Sequence, residues 1–548
     1  MSRTAASFRA FSKVFANRRV RNVQIAGAGS TLGTWAYAVA LPVYAYHAGG
    51  ARAIGVLFFA RYVLGALAAP WLGVLADRWS RQRLMLTADL IRAGIFAAVT
   101  AVAVGHGNPY IIYVLAVTST IVSGCYSPAQ AALMPSLVAT PEELTAANLV
   151  GNTVASAAMF AGPAIGGVLL ALSGPAAVFA LNGALFLWSA AFIVQVPRDE
   201  RPARPEHKPR FRAELATGFT SVLQSRALRV IVALTTAETL IFGTLEVLLV
   251  VLALRVLHSG NAGVGWLNTA LGIGSLAGAA VVAVMASRRR LAGGFAVGIL
   301  LTGAPFAALA AFGTLPPALV LLGVVGAGSV VVEVSGTTLI QRSADNDVLG
   351  RVFGVLQSLI MAAMALGSII APGLVGLLGP RGALIAAGVF LPALLVPLWP
   401  TLRRIDVEAQ VPEEPLALLR RIEIFAQLPE AVIERLAASA TLVDVPAGTA
   451  VVTRGEAGDD MYVIASGRAT VELEGGTTRE LGPGDFFGEI ALLRDVPRTA
   501  TVRALDELRL YAIARDVFLP AVTGHAQTLA AAESVMAGRL SASGLAAG

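Results

Sequence analysis

The stretch FFGEIALLRDVPRTATVRA, residues 486 to 504, gathers groups that could hold an anion. Gly488 opens a short helix whose free N–H groups, near Ile490 and Ala491, can receive a phosphate. Arg498 returns on the next strand with a planar, permanently charged fork for the same anion. Glu489 can accept hydrogen bonds from a ribose hydroxyl. One phosphate beside one free 2′-hydroxyl is the chemistry of a cyclic nucleotide; the plain alternative is a ligand-free structural roll.

A second kind of chemistry lies in charges inside long apolar runs. A charge at the bilayer centre costs ~2.5 kcal/mol or more unless it is paired or wetted, so such residues need a reason. Glu238 lies about ten residues into its run, and at ~1.5 Å per residue it reaches roughly mid-membrane. A carboxyl group there could exchange protons between the two faces, or bond a neighbouring helix as a structural glutamate. Glu333 and Glu246 sit nearer the two surfaces, and Arg61, with no evident partner in sequence, could meet an anionic substrate or one of these acids. Asp89 and Arg92, three apart, are read as a structural pair, with each other or with the turn that precedes them.

That turn is GVLADRWSRQR, residues 73 to 83, wedged between two apolar segments. Gly73 lets two helices approach, Asp77 could face the positive end of a neighbouring helix, and Arg78, Arg81 and Arg83 hold the loop on the cytoplasmic side.

The totals say what must position these groups. With 548 residues, 56% of them hydrophobic and 14% charged, and a mean hydropathy of +0.72, the chain reads as a membrane protein. The charge is uneven: apolar runs dominate to about Pro400, and charges recur every few residues beyond Thr401. A net charge of +7 could suggest nucleic acid, but the excess sits in loops beside spans, where inner-leaflet anionic lipid explains it. The single cysteine, Cys125, excludes an intrachain disulfide and reads as a packing residue.

By the ruler of about 20 apolar residues per crossing there are twelve spans, small-residue-rich, as closely packed helices require. Residues 1–22, basic with phenylalanines at helical spacing, form an amphipathic arm, and the run that follows is too long for a cleaved signal peptide. Residues 23–196 hold six spans, 197–227 a central cytoplasmic loop, 228–402 six more, and 403–411 a linker. With the amino terminus inside, 22 Lys and Arg fall on the cytoplasmic face against three on the other. Both termini and everything after residue 401 are therefore expected in the cytoplasm of a cell with this protein in its inner (plasma) membrane. The halves also look alike: Asn148 with GPAIGG (162 to 167) answers to Gln357 with APGLVG (371 to 376) at one offset of 209 residues, and the same shift carries the turn onto Ser287 to Arg290. Duplicated six-helix units are how many secondary transporters are built, with the substrate near the midplane.

Beyond the linker, residues 412–540 read as short helices, then short strands separated by glycine turns, then a helical end from about Arg515 to Leu540: a small β-roll with flanking helices. The fold class is thus an all-α bundle of twelve transmembrane helices followed by that roll. No metal-ligand cluster, nucleophile beside a base, or Walker loop is evident, so neither an enzyme nor a metal or other cofactor is expected.

Two resemblances sharpen this. The order Gly73, Leu75, Asp77, Arg78, Arg81, Arg83 resembles the signature loop between helices two and three of the major facilitator superfamily, with Ser80 where a second glycine is usual and Gln82 interrupting the basic run. The resemblance implies that Gly73, Asp77, Arg78 and Arg81 latch the cytoplasmic side in the outward-facing state. PSLVATPEELTAAN (135 to 148) and QRSADNDVLGRVFG (341 to 354) resemble the branch with siderophore and drug exporters, which implies efflux, and GPAIGG loosely resembles an antiporter motif or else marks a glycine-paired helix crossing. The stretch 486 to 504, with Gly448, Gly455, Gly467, Gly484 and Gly488, resembles the phosphate-binding cassette of cyclic nucleotide-binding domains. That implies cAMP or cGMP held by Gly488, Glu489, Ile490, Ala491, Arg498 and Thr499, the last resembling the residue that favours guanine in cGMP-dependent kinases, with a cap near Leu529. The expectation is a proton-coupled exporter of a small molecule, tuned by nucleotide, with Glu238, Glu333 and Arg61 in transport. The alternative is a membrane-anchored nucleotide sensor without transport.

Overall fold

Without water to satisfy backbone N–H and C=O groups, apolar chain inside a bilayer closes its hydrogen bonds as helix. The computed structural model describes residues 17–138, 140–197, 211–285, 291–344, 346–408, 413–426, 428–472, 478–524 and 526–542. These divide into two compact units, Met1–Asp406 and Val407–Gly548.

The first unit is helical: α1 (Arg18–Arg78), α2 (Arg81–Val104), α3 (Pro109–Ser123), α4 (Tyr126–Leu137), α5 (Pro141–Ile193), α6 (Phe211–Gln224), α7 (Arg226–Val251, continued by a π-helical turn Leu252–Val256), α8 (Gly260–Met285), α9 (Leu291–Ala308), α10 (Leu315–Ser343) and α11 (Asn346–Glu408). Side-chain caps start several of them: Asn17 accepts from the N–H groups of Arg19 and Val20, Asn108 from Tyr110, Thr140 from Glu143, and Ser225 from Leu228.

Among the described residues nine helices are long and apolar enough to cross a membrane, and three of these run 51 to 58 residues. Each of the three reverses at one glycine with left-handed φ, Gly50, Gly174 or Gly379, so the nine make twelve traverses. Gly50 and Gly260 share a left-handed φ, 65° and 66°, at the first hairpin of each half, and Gly174 and Gly379, at 77° and 71°, do so at the third. The duplication visible in sequence is therefore repeated in backbone conformation.

Helix α1 begins at Arg18, so the last residues assigned to the arm form its first turn, while 1–16 lie outside the described residues, as do Ser287 to Arg290. Within the stretch assigned to the central loop, 211–224 is helical, and Gly218 brings α6 onto the backbone of Arg351. GPAIGG is a packing surface: Gly162 and Gly166 let α5 close on α1 at Trp35 and Ala36. A Cβ built on Gly167 would stand 2.7 Å from Cα of Gly265 on α8, in the other half.

The second unit has α12 (Glu413–Leu419) and α13 (Glu430–Ser439), then strands β1 (Thr441–Val445), β2 (Ala450–Val452), β3 (Asp460–Ser466), β4 (Ala469–Glu472), β5 (Thr478–Leu481) and β6 (Phe486–Phe487). A short helix α14 (Glu489–Arg494), β7 (Thr501–Ala504), β8 (Leu508–Ala514), α15 (Arg515–Thr523) and α16 (Ala526–Ala542) complete it. The strands form two four-stranded antiparallel sheets, ordered β1-β8-β3-β6 and β2-β7-β4-β5. Alternation along β8 builds both cores. Leu508 and Leu510 join Ile464, Phe487 and Val502, while Tyr511 and Ile513 join a helical cluster with Phe425, Leu436 and Phe518.

Candidate functional site

In the roll, β6 ends at Gly488, whose φ of 93° is left-handed, and the chain turns at once into α14. Any larger residue there is strained, and its Cβ would stand 2.6 Å from Nη1 of Arg498 and 3.0 Å from the Asp460 carbonyl oxygen. Glu489 is 1% exposed, Ala491 is buried, and Ile490 and Thr499 are half-buried.

Arg498 is 6% exposed and is held from several sides. Its Nη1 donates to the Gly488 carbonyl at 3.1 Å and its Nη2 to that of Asp460 at 2.8 Å. Its main chain pairs with the β2–β3 loop, its N–H donating to Glu456 O and its carbonyl accepting from Gly455 N–H, both at 2.9 Å. The guanidinium lies 5.8 Å from the Tyr462 ring, which stacks on Phe487. Burial first, then the neighbouring Asp460, pushes the Tyr462 phenol up, so the platform stays uncharged. With five N–H donors and two bonds to carbonyls, the fork keeps donors for an anion beside the start of α14. The cassette residues Gly488, Glu489, Ile490, Ala491, Arg498 and Thr499 thus meet at one place.

Gly458 completes the enclosure. A Cβ there would run into the Arg498 guanidinium, so any larger residue would have to push the arginine or the loop aside. The sequence reading missed it, and the one available signal was its place in the glycine-rich run GEAGD. Leu529, expected near a cap, packs with the helical cluster of this unit.

In the bundle, a chamber of ≈ 180 Å³ lies between the halves, lined by Arg61 from α1, Arg92 from α2 and Glu246 from α7, with Tyr37, Phe58 and Phe96 around them. A second cavity of ≈ 430 Å³ shares Thr34, Arg92 and Ser123 with it and continues along α1, α4 and α5 past Gln130 and Asn148 to Gln24, toward the end where α1 starts. The opposite end, with the glycine turns, is closed between the halves. There Gly167 meets Gly265, His47 Nε2 and Asn261 Oδ1 lie 3.0 Å apart, and a Cβ on Gly55 would stand 2.6 Å from the Ser368 carbonyl oxygen. Tyr62 donates to Glu246 Oε1 at 2.8 Å across the same seam, while Glu246 Oε2 is buried without a partner.

The transport candidates separate. Arg61 lines the chamber and donates through Nε to Thr120 Oγ1 at 2.9 Å. Glu238 is 8% exposed and lies outside both cavity walls, within electrostatic range of Glu333, whose own residue is exposed on the bundle surface. Glu246, read in sequence as nearer a surface, also lines the chamber. Asp89 and Arg92 stay within electrostatic range of each other, but each hydrogen-bonds elsewhere. Asp89 accepts from Ser189 at 2.6 Å, whereas Arg92 reaches Ser30 and Thr34 of α1 and lies 3.7 Å over the Phe186 ring. Of the latch residues, Arg81 opens α2, and the side chains of Gly73, Asp77 and Arg78 lie outside the described residues.

Known proteins match both units. The profile described as Major Facilitator Superfamily matches residues 24–357 and 234–442, and the profile described as Cyclic nucleotide-binding domain matches 442–525. The protein named Multidrug efflux pump Tap of Mycobacterium tuberculosis is 27% identical over 353 residues, 62% of this chain and 83% of that one. A cAMP-dependent protein kinase regulatory subunit of Yarrowia lipolytica is 46% identical over 86 residues, 15% of this chain and 23% of that protein, so the chain spans under a quarter of that relative. The crystal structure of a POT family transporter in complex with thioalcohol conjugated peptide shares the fold at a TM-score of 0.57 and 13% identity, over 70% of this chain and 96% of that one. Twelve traverses in two matched halves, and a roll whose arginine faces a helix start, agree with both profiles: the chain belongs to the major facilitator superfamily and carries a C-terminal cyclic nucleotide-binding domain.

Proposed function

We propose that the chain is a proton-coupled exporter of a small molecule, in the inner (plasma) membrane, whose transport rate is set by cAMP or cGMP bound to the tail. The observation that carries the transport reading is the path from one end of the bundle to a chamber between the halves, closed beyond it by contacts between those halves. This is the geometry of a carrier whose halves rock about a central site. The relative named as a multidrug efflux pump supports export as the direction. The lopsided Lys and Arg count supports both termini and the tail in the cytoplasm, where the nucleotide would be met, with the turn at 73 to 83 as the latch on that side.

In the tail, Arg498 and the N–H groups of α14 take the phosphate and Glu489 the ribose hydroxyl, with Thr499 beside them. The effect reaches the bundle through the peptide that joins the units. Coupling of this kind is commonly ~1–3 kcal/mol, so nucleotide changes the rate by roughly 5- to 150-fold. In the bundle, Glu238 carries the proton, with Glu333 in its electrostatic field and Arg61 in the chamber. The test is proton flux in proteoliposomes under a substrate gradient. Glu238→Gln should abolish proton movement while nucleotide binding is kept; flux equal to that of the parent chain would remove Glu238 from the mechanism.

A further inference from the structure

The chamber has more positive charge than its own acids balance. Among the described residues lining the two connected cavities, the charged ones are Arg61, Arg92 and Glu246. The two arginines stand at opposite ends of a row of rings. Arg61 lies 5.8 Å from Tyr37, Tyr37 is 4.8 Å from Phe96, Phe96 is 5.6 Å from Phe186, and Arg92 covers Phe186 at 3.7 Å. Arg92 is 6% exposed, its Nε has no partner, and its other nitrogens meet only hydroxyls, at 3.3 and 3.5 Å. Asp89, on the same helix, is within electrostatic range of Arg92 but hydrogen-bonds Ser189 and lines neither cavity. Glu246 takes the Tyr62 hydroxyl on one oxygen and has no partner on the other.

A buried guanidinium with one nitrogen unpartnered and no carboxylate hydrogen-bonded to it can take an anion, and the rings beside it offer a flat apolar surface. We propose that the chamber takes an amphipathic organic anion, an aromatic body bearing one carboxylate, with its acid head on Arg61 and Arg92 and its body against Tyr37 and Phe96. This rests on the carrier reading and narrows its substrate class. A cationic compound would add a third positive charge against a single lining acid, Glu246, which has one oxygen open, so it is the disfavoured class.

The test uses the purified full chain in lipid nanodiscs and equilibrium dialysis with three compounds of one shape: 2-naphthoate, neutral 2-naphthamide and cationic 2-naphthylmethylammonium. Naphthoate should bind about tenfold or more tightly than either of the others. Arg61→Gln and Arg92→Gln should each weaken it by about tenfold or more, with Arg92→Lys keeping most of the affinity. Equal or tighter binding of the cation, or unchanged naphthoate binding in both glutamine variants, would overturn the inference. Should a variant not stay monodisperse, the order of the three compounds on the parent chain decides alone. Flux of the same compounds in proteoliposomes separates the two claims. Export of the cation but not the anion ends this inference and leaves the carrier reading standing. Arginine-dependent naphthoate binding with no flux of any of the three upholds the anion site and ends the carrier reading.

Discussion

Arg498 is where a single side chain carries most of the nucleotide claim. It is buried, bonded to two backbone carbonyls and set beside a helix start, so its truncation removes the charged donor and loosens the loop that meets it. Loss of a buried, hydrogen-bonded charge commonly costs ~2–5 kcal/mol, so calorimetry of cAMP with Arg498→Ala should show binding weaker by roughly 30-fold or more. Gly458→Ala should act in the same direction by displacing the guanidinium; unchanged affinity in both variants would clear this site of the role. The cassette was legible in sequence because glycine, glutamate and arginine at that spacing fix both a turn and a charge. Gly458 was not, because its importance comes from a loop far back in the chain closing on Arg498, and no local pattern records that approach. Asp89 and Arg92 were legible only in part, for the opposite reason: they lie within electrostatic range of each other but do not bond directly. Three residues apart on a helix they can touch, but the long arginine side chain finds two hydroxyls on α1 and the aspartate finds one on α5.

Elements tie the residues into states. The Tyr62 to Glu246 bond joins α1 of one half to α7 of the other, at the closed side of the chamber. Tyr62→Phe would leave a second buried carboxylate oxygen without a donor, a penalty of ~1–3 kcal/mol against this conformation. The population should shift toward opening at the glycine-turn end, read as faster labelling of Asn261→Cys in a Cys125→Ala background; slower labelling would contradict it. In the roll, Asp506 accepts from the backbone N–H of Arg468 at 2.5 Å and from its Nε at 3.1 Å. These bonds, the backbone one first, hold its carboxyl below the usual carboxylate range. Such a group stabilises the fold fully above its unfolded pKa of about 3.9 and loses that contribution as pH falls through the lower folded value. The tail's thermal midpoint should therefore drop below about pH 4, and Asp506→Asn should flatten part of that drop in a melting series. The strands were readable from alternation and glycine turns. The helix of 211–224 was not, because the charged, proline-rich stretch before it reads as loop and only tertiary contact with Arg351 marks where helix resumes.

At the scale of the whole chain, what sequence shows best is what the bilayer enforces. Crossing length predicts twelve spans and the excess of arginine in alternate loops their orientation, and the described residues supply the twelve as nine helices, three folded back at glycines of left-handed φ. The chamber's composition was less legible, since Arg61 and Glu246 come from different halves and their meeting depends on how the halves close. The central claim is that nucleotide on the tail changes transport through the bundle. The direct measurement is flux of the best-moved compound in proteoliposomes of purified full chain, with and without cAMP or cGMP on the tail side, for the parent and Arg498→Ala. The account predicts a rate change of roughly 5- to 150-fold in the parent and none in the variant. A parent that binds nucleotide yet transports at one unchanged rate, or a variant that responds as the parent does, would contradict it.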